Sequence, residues 1–173
     1  TRMVLMCGDN PGPSIHADIS SINFSSGGTS DSGNNMTLSR RLIAGFSDST
    51  RACAAGGYEP YSDVIDFTTI SSLSIGVDFG NLSAQRWFPT GSSSSTRGVI
   101  IAGYNASNTA QNVIDYVTIS TTGNAIDFGD AQTTGQNLGA ANNSTRIVFA
   151  EGGSPSIVNT ISILTTATTG NAT

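Results

Sequence analysis

Short apolar runs return along this chain at nearly fixed intervals, each opened by an arginine and closed by glycine. They read RMVLMCG (Arg2–Gly8), RACAAGG (Arg51–Gly57), RGVIIAG (Arg97–Gly103) and RIVFAEGG (Arg146–Gly153). Apolar residues run on in them without strict alternation, as expected of strands covered on both faces. The four arginines lie 49, 46 and 49 residues apart, and periods of about 20–50 residues signal stacked supersecondary units. The chain therefore reads as one repeat domain, 1–173, with repeats 2–50, 51–96, 97–145 and a partial 146–173.

The third repeat has the clearest internal pattern. Gly98–Ala102 is the apolar strand, and Asn112–Ser120 (NVIDYVTIS) is a second strand rich in β-branched residues. Thr121–Asn124 (TTGN) is a hairpin turn, Ala125–Phe128 a short third strand, and Gln136–Ala141 a weaker fourth stretch. The second repeat offers Val64–Ser71, Val77–Leu82, Arg86–Phe88 and Ser92–Thr96, and the fourth offers Asn159–Thr166. In the first, Asp18–Ile22 (DISSI) matches Asp66–Ile70 (DFTTI) and Asp115–Ile119 (DYVTI). No stretch carries the helical 3.6-residue period, so the expectation is an all-β chain. About four short antiparallel strands per repeat is the arithmetic of a propeller blade, and about 3.5 such blades fit. Thr1 is in register with Thr50, Thr96 and Thr145, and Thr173 falls partway through a repeat, which suggests a window of a longer chain.

Charge narrows the range of partners. There is no lysine, all seven basic residues are arginines, and the net charge is −5. Neither a basic stripe for nucleic acid nor a polybasic patch for anionic lipid is present. No apolar run approaches the roughly 20 residues of a membrane span. Cys7 and Cys53 sit at different offsets within their repeats, which suits two small buried thiols better than a disulfide framework.

With these repeats in view, the chain resembles the kelch-type β-propeller family, in which a strand ends in paired glycines before a variable loop. Gly56-Gly57 and Gly152-Gly153 match the diglycine, while Cys7-Gly8 and Ala102-Gly103 keep its second glycine. The family's tryptophan in the last strand is absent, and Phe79 and Phe128 stand roughly where it would be. Ile114–Ile119, Thr121–Ala125, Asp127–Gly129 and Ser95–Arg97 are also similar to Ser/Thr-rich propeller repeats of bacteriophage virion proteins, particularly those of marine phages. That resemblance implies a kelch-like propeller, or part of one, in the virion as a tail fibre or similar structural protein.

Several residue sets are candidates for chemistry. Arg2, Arg51, Arg97 and Arg146 suggest either a ring of guanidinium groups for an anionic sugar or fasteners donating to carbonyls or carboxylates. A residue repeated in every unit serves the scaffold, and Gly8, Gly57, Gly103 and Gly152 fall under the same reading. Arg40 and Arg86 precede the next repeat's arginine by eleven residues, a series that Gly135 breaks. Asp18, Asp66 and Asp115 form a carboxylate series, with Ser162 in the fourth repeat. Asp78 and Asp127 lie in D-F-G-[DN] turns, where side-chain capping, Ca²⁺ ligation and sugar hydrolysis are the alternatives. His16, the single histidine, reads as a surface residue, and Trp87 as packing between blades. No catalytic residue, metal site or cofactor is assigned.

The segments after the glycines are where the repeats differ: Asp9–Ile15, Tyr58–Ser62, Tyr104–Gln111 and Ser154–Ile157. Binding concentrates on variable loops held by a rigid scaffold. Tyr58, Tyr61 and Tyr104 supply amphipathic rings, and Glu59 and Asn105 supply hydrogen-bonding groups. The expectation is a non-enzymatic virion protein that displays these loops for attachment to a host-surface glycan or protein. A purely architectural module between virion proteins, or between copies of itself, is the alternative. A carbohydrate-active propeller enzyme comes third.

Overall fold

The computed structural model describes residues 1–9, 14–136, 139–152 and 156–173. Among them there is no helix, and fourteen strands, all antiparallel to their neighbours, form four small sheets, none of them closed. The first sheet holds β1 (Arg2–Asp9), β2 (Ile15–Asn23) and β3 (Thr29–Asn35). The second holds β4 (Ala44–Ser47), β5 (Arg51–Ala55), β6 (Val64–Thr69) and β7 (Val77–Asn81). The third holds β8 (Thr90–Ser93), β9 (Arg97–Tyr104), β10 (Ala110–Thr118) and β11 (Ile126–Gly135). The fourth holds β12 (Gly139–Asn142), β13 (Arg146–Ala150) and β14 (Ile161–Thr165). Each is a meander in chain order; in the second, third and fourth sheets the Arg-led strand is flanked by the strand before it and the strand after it, while β1 lies at the edge of the first.

The sheets are phased one strand earlier than an Arg-to-Arg count. β4, β8 and β12 close one repeat in sequence but pair with the arginine strand of the next. The expected strand Arg86–Phe88 is not one. It lies in the connector between β7 and β8, where Trp87 forms an isolated bridge with Tyr104 and Arg86 and Phe88 bond to Gly57, Ser62 and Leu42. Parts of the stretches Asp9–Ile15, Gln136–Ala141 and Ser154–Ile157, and Gly153 of the fourth diglycine, lie outside the described residues.

Residues opposite one another in an antiparallel pair share a face, so register sorts the side chains. On the second sheet, Ala52 and Ala54 face the first sheet with Thr68 and Asp66, while Cys53 and Ala55 face the third with Phe67 and Ile65. On the third sheet, Ile100 faces the second, while Val99 and Ile101 face the fourth. The Arg-led strand thus lacks alternation because its sheet is covered on both sides. Burying an Ile or Phe side chain such as Ile100 or Phe149 contributes about 1.5–3 kcal/mol.

The first strands lie side by side. Ser93 Oγ donates to Ser47 O at 2.8 Å, and Ser92 Oγ to Asn142 Oδ1 at 3.1 Å. A Cβ added at Gly91 would collide with the Gly45 backbone, so this approach of β8 to β4 requires glycine. A second junction explains two repeated motifs. The T-T-G-N-A turn of one sheet docks on the D-F-G-[DN] edge of the preceding one: Gly123 N to Phe79 O at 2.7 Å and Ala125 N to Asn81 O at 2.8 Å. The same pair recurs as Gly170 N to Phe128 O at 2.7 Å and Ala172 N to Asp130 O at 2.8 Å.

Candidate functional site

Two arginine series fasten the sheets. Arg51 Nη1 donates to Ile119 O at 2.7 Å and its guanidinium lies 4.3 Å from the centre of the Phe67 ring. Arg97 repeats this with Thr166 O at 2.8 Å and Tyr116 at 4.6 Å. Each guanidinium thus rests on an aromatic ring of its own sheet and donates to a strand end of the next, a geometry that lysine cannot reproduce. The other series meets the carboxylates. Arg40 pairs with Asp66 and Arg86 with Asp115, all four fully buried or nearly so. Thr37 N and Oγ1 also donate to Asp66, at 2.9 and 2.7 Å, and Ser83 N and Oγ to Asp115, at 3.1 and 2.8 Å. Burial lowers the Arg86 pKa from its ordinary value, against the opposing pull of Asp115. Both carboxylates are fully buried and each holds a connector arginine.

Asp18 does not belong to that series. Register places Ser20 opposite Leu5, the position that Asp66 holds opposite Ala54 and Asp115 opposite Ile100. Asp18 lies two residues earlier, exposed, with His16 Nδ1 at 3.3 Å. It falls beyond the regular β1–β2 register, at the bulge between Met6 and Gly8, so like letters in DISSI and DFTTI do not occupy like positions. In the third junction Gly135 and Ser162 replace the Arg–Asp pair, and buried Glu151 takes over. Its carboxylate accepts from Gln132 N at 3.0 Å, Ser162 Oγ at 2.6 Å and Thr133 Oγ1.

The non-repeating side chains gather at the loop end. Tyr58 stands in the β5–β6 loop, and Tyr104 closes β9. Each is met by the connector entering its own sheet: Tyr58 N donates to Arg41 O at 2.8 Å, and Trp87 N to Tyr104 O at 2.9 Å. Glycine makes room for the connectors. Gly56 has φ 66° and a Cβ there would sit 2.6 Å from Arg86 O, while Gly103 has φ 102° and a Cβ there would sit 2.8 Å from Trp87 O. Gly8 N and Gly57 N in turn donate to Arg40 O at 3.2 Å and Arg86 O at 2.8 Å.

This backbone frame brings four half-buried rings together. Trp87 stacks on Tyr104 with centroids 5.1 Å apart, Tyr58 tilts onto Trp87 at 5.3 Å, and Tyr61 meets Tyr58 edge-on at 5.0 Å. The Trp87 indole N–H donates to Asn105 O at 3.3 Å. Trp87 thus packs between Tyr58 of the second sheet and Tyr104 of the third, and does so within the loop cluster. Its position in a connector, not a strand, carries it there. Arg41 adds charge, donating to Asp9 at 2.9 Å and to Glu59 at 2.7 Å, with its guanidinium 5.3 Å from the Tyr58 centroid. The hydrogen bond to Asp9, and then that to Glu59, raise the Arg41 pKa against burial. Burial, then Tyr58, raises the Tyr61 phenol.

Of the candidate binding residues, Tyr58, Glu59, Tyr61 and Tyr104 converge here. Asn105 contributes its carbonyl, while its side-chain oxygen accepts from Ser107 N and Thr109 N, both at 3.0 Å, and shapes its own loop. The residues missed were Arg41, Trp87 and Asp9. Arg41 and Trp87 share a signal, since each lies ten residues before the next repeat's arginine. The cluster offers ring edges, phenol hydroxyls and a guanidinium–carboxylate pair to a ligand. Among the described residues no group of three or more His, Cys, Asp or Glu side chains is placed to hold a metal ion. No protein-family model matches the chain, and no curated protein matches it either.

Proposed function

We propose that the chain is a kelch-like β-propeller or part of one, about 3.5 blades of four antiparallel strands, with each sheet as a blade. In this reading it is a non-enzymatic structural protein of a bacteriophage virion, a tail fibre or similar, and its loop end attaches to a host-surface glycan or protein. The observation that carries the attachment reading is the cluster of Tyr58, Tyr61, Trp87, Tyr104, Arg41 and Glu59, unlike side chains collected at one end of a repeating scaffold. Half-buried aromatic rings with polar tips suit recognition surfaces. The virion assignment is supported by the wording of the repeats.

Glycan-array and host-cell binding test the proposal. Tyr58→Ala and Tyr104→Ala are each expected to weaken binding at least about tenfold, or ~1.4 kcal/mol. No binding by the intact chain, or binding unchanged by both substitutions, would sink the attachment reading. One observation favours the architectural alternative: the ring faces are largely turned to one another, leaving mainly edges for a ligand. On that alternative Tyr104→Ala lowers stability, and the loop end binds no host component.

A further inference from the structure

Among the described residues, the first and fourth sheets each leave uncovered a face whose counterpart is buried elsewhere. On the fourth sheet the outward face carries Arg146 and Val148 on β13, with Thr165 and Ile163 opposite them on β14. The third sheet presents the same order to the fourth: Arg97 and Val99, with Thr118 and Tyr116 opposite. Val99 is wholly buried, whereas Val148 and Ile163 are each 40% exposed. Arg97 reaches Thr166 O, whereas Arg146 is exposed.

The first sheet supplies the other half. Its outward face carries Met3 and Leu5 on β1, each 45% exposed, with Ile22 and Ser20 opposite on β2. The fourth sheet shows the third a set of the same chemistry: Ile147 and Phe149, with Leu164 and Ser162 opposite, all buried. Both sets are three apolar side chains and a serine. Ser162 stands where the other junctions carry Asp, and there buried Glu151 completes the polar centre without an Arg–Asp pair. The first sheet has Ser20 in the serine's place, and Cys7 at the glutamate's offset, so its outward face also brings no buried carboxylate that would call for an arginine.

We propose that the chain associates head to tail with a second copy of itself, the outward face of the fourth sheet receiving the outward face of the first. The contact repeats the junction between the third and fourth sheets. Val148 and Ile163 pack on Met3 and Leu5, and Arg146 donates to a strand-end carbonyl. For Arg97 of the third sheet that carbonyl is Thr166 O at the end of the fourth, where Thr166 N bonds Thr145 O; in the first sheet the equivalent bond runs from Phe24 N to Thr1 O, which marks the Phe24 carbonyl as the acceptor. Asp18 and His16 lie on the same outward side of the first sheet, already paired to each other. The interface joins two different surfaces, so it builds rings or open filaments rather than a symmetric pair of like faces.

Sedimentation equilibrium of the full chain tests this with Leu5→Asp and Ile163→Asp, which change exposed positions on opposite partners. The wild-type chain is expected to self-associate with rising concentration, and each variant alone to stay monomeric. An equimolar mixture is expected to form a complex of twice the monomer mass and no larger, since one variant keeps the good first-sheet face and the other the good fourth-sheet face. A monomeric wild type, variants that associate like wild type, or a mixture that stays monomeric would overturn the proposal. Circular dichroism melts confirm that both variants fold; if either does not, Met3→Glu and Arg146→Glu replace them with the same expectations. Host binding is not read in this experiment, so its outcome is separate from that of the attachment reading.

Discussion

The junction between the second and third sheets and the junction between the third and fourth solve one problem with different chemistry. The first buries a full ion pair, Arg86–Asp115, and leaves Arg86 Nε and Asp115 Oδ1 without a protein partner. The second removes both members and gathers hydroxyls and an amide around Glu151. Both are buried and flanked by apolar side chains of similar bulk. The packing between sheets is therefore set by the apolar layers. The polar centre has only to be satisfied, and more than one arrangement satisfies it.

The sharpest way to break this equivalence is to remove one acid from each junction. Asp115→Ala strands the Arg86 guanidinium in the interior and is expected to cost about 3–5 kcal/mol in urea unfolding. Glu151→Ala leaves hydroxyls that can rotate toward each other and is expected to cost less, about 1–3 kcal/mol. Removing both charges together, as Arg86→Met with Asp115→Leu, is expected to recover most of the first loss. If Glu151→Ala proved the more damaging, the ion pair would not be the more demanding centre.

Next in size is the contact between first strands. Gly91→Ala pushes a methyl group into the Gly45 backbone, an overpacking cost of about 1–3 kcal/mol. The fourth sheet already carries Ala140 at the same offset, six residues before its arginine. Ala140→Gly is expected to cost no more than about 1 kcal/mol, through chain entropy alone. Thermal melts that ranked the two changes the other way would show that the close approach of β4 and β8 is not general to the scaffold. A smaller contrast concerns the arginine series. Arg97→Lys loses the fork to Thr166 O and the contact with Tyr116, about 1 kcal/mol. Arg146→Lys is expected to leave the stability of the dispersed chain unchanged.

The all-β class was legible in the sequence because glycine-bounded apolar runs and β-branched runs recur without a helical period. The loop end was legible for the tyrosines, since segments that differ between repeats stand out against those that do not. What stayed hidden depended on register. Asp18 looks equivalent to Asp66 by its letters, but the pairing of β1 with β2 puts Ser20 in that place. Arg41 and Trp87 sit in connectors with no periodic pattern, and only the single bridges to Tyr58 and Tyr104 carry them to the loop end. The T-T-G-N-A and D-F-G-[DN] motifs read as separate turns because their partners are in neighbouring sheets.

The smallest contrast lies in the turns that lead into the arginine strands. Three different residues do one job there. Asp48 Oδ1 accepts from Thr50 N and Arg51 N, both at 2.7 Å; Ser94 Oγ accepts from Thr96 N at 3.3 Å and Arg97 N at 3.1 Å; Asn143 Oδ1 accepts from Thr145 N at 2.9 Å and Arg146 N at 2.8 Å. Only the aspartate titrates. Burial alone would raise its pKa, but the hydrogen bonds from Arg51 N and Thr50 and the nearby Arg51 charge together lower it below the ordinary value of 3.8. The carboxylate is thus favoured in the folded state, and its contribution is complete above the unfolded value. As pH falls below about 4 the unfolded chain takes up the proton first, so the contribution is lost through the folded pKa. Asp48→Asn keeps the acceptor and drops the charge. At pH 7 it is expected to cost about 0.5 kcal/mol or less, because the site is open to solvent screening. Wild type and variant should converge in stability as pH drops toward 3, measured by urea midpoints across the range. A gap that stays constant from pH 7 to 3 would show that the charge on Asp48 adds nothing to its capping, and that the three turns are held by the same hydrogen bonds alone.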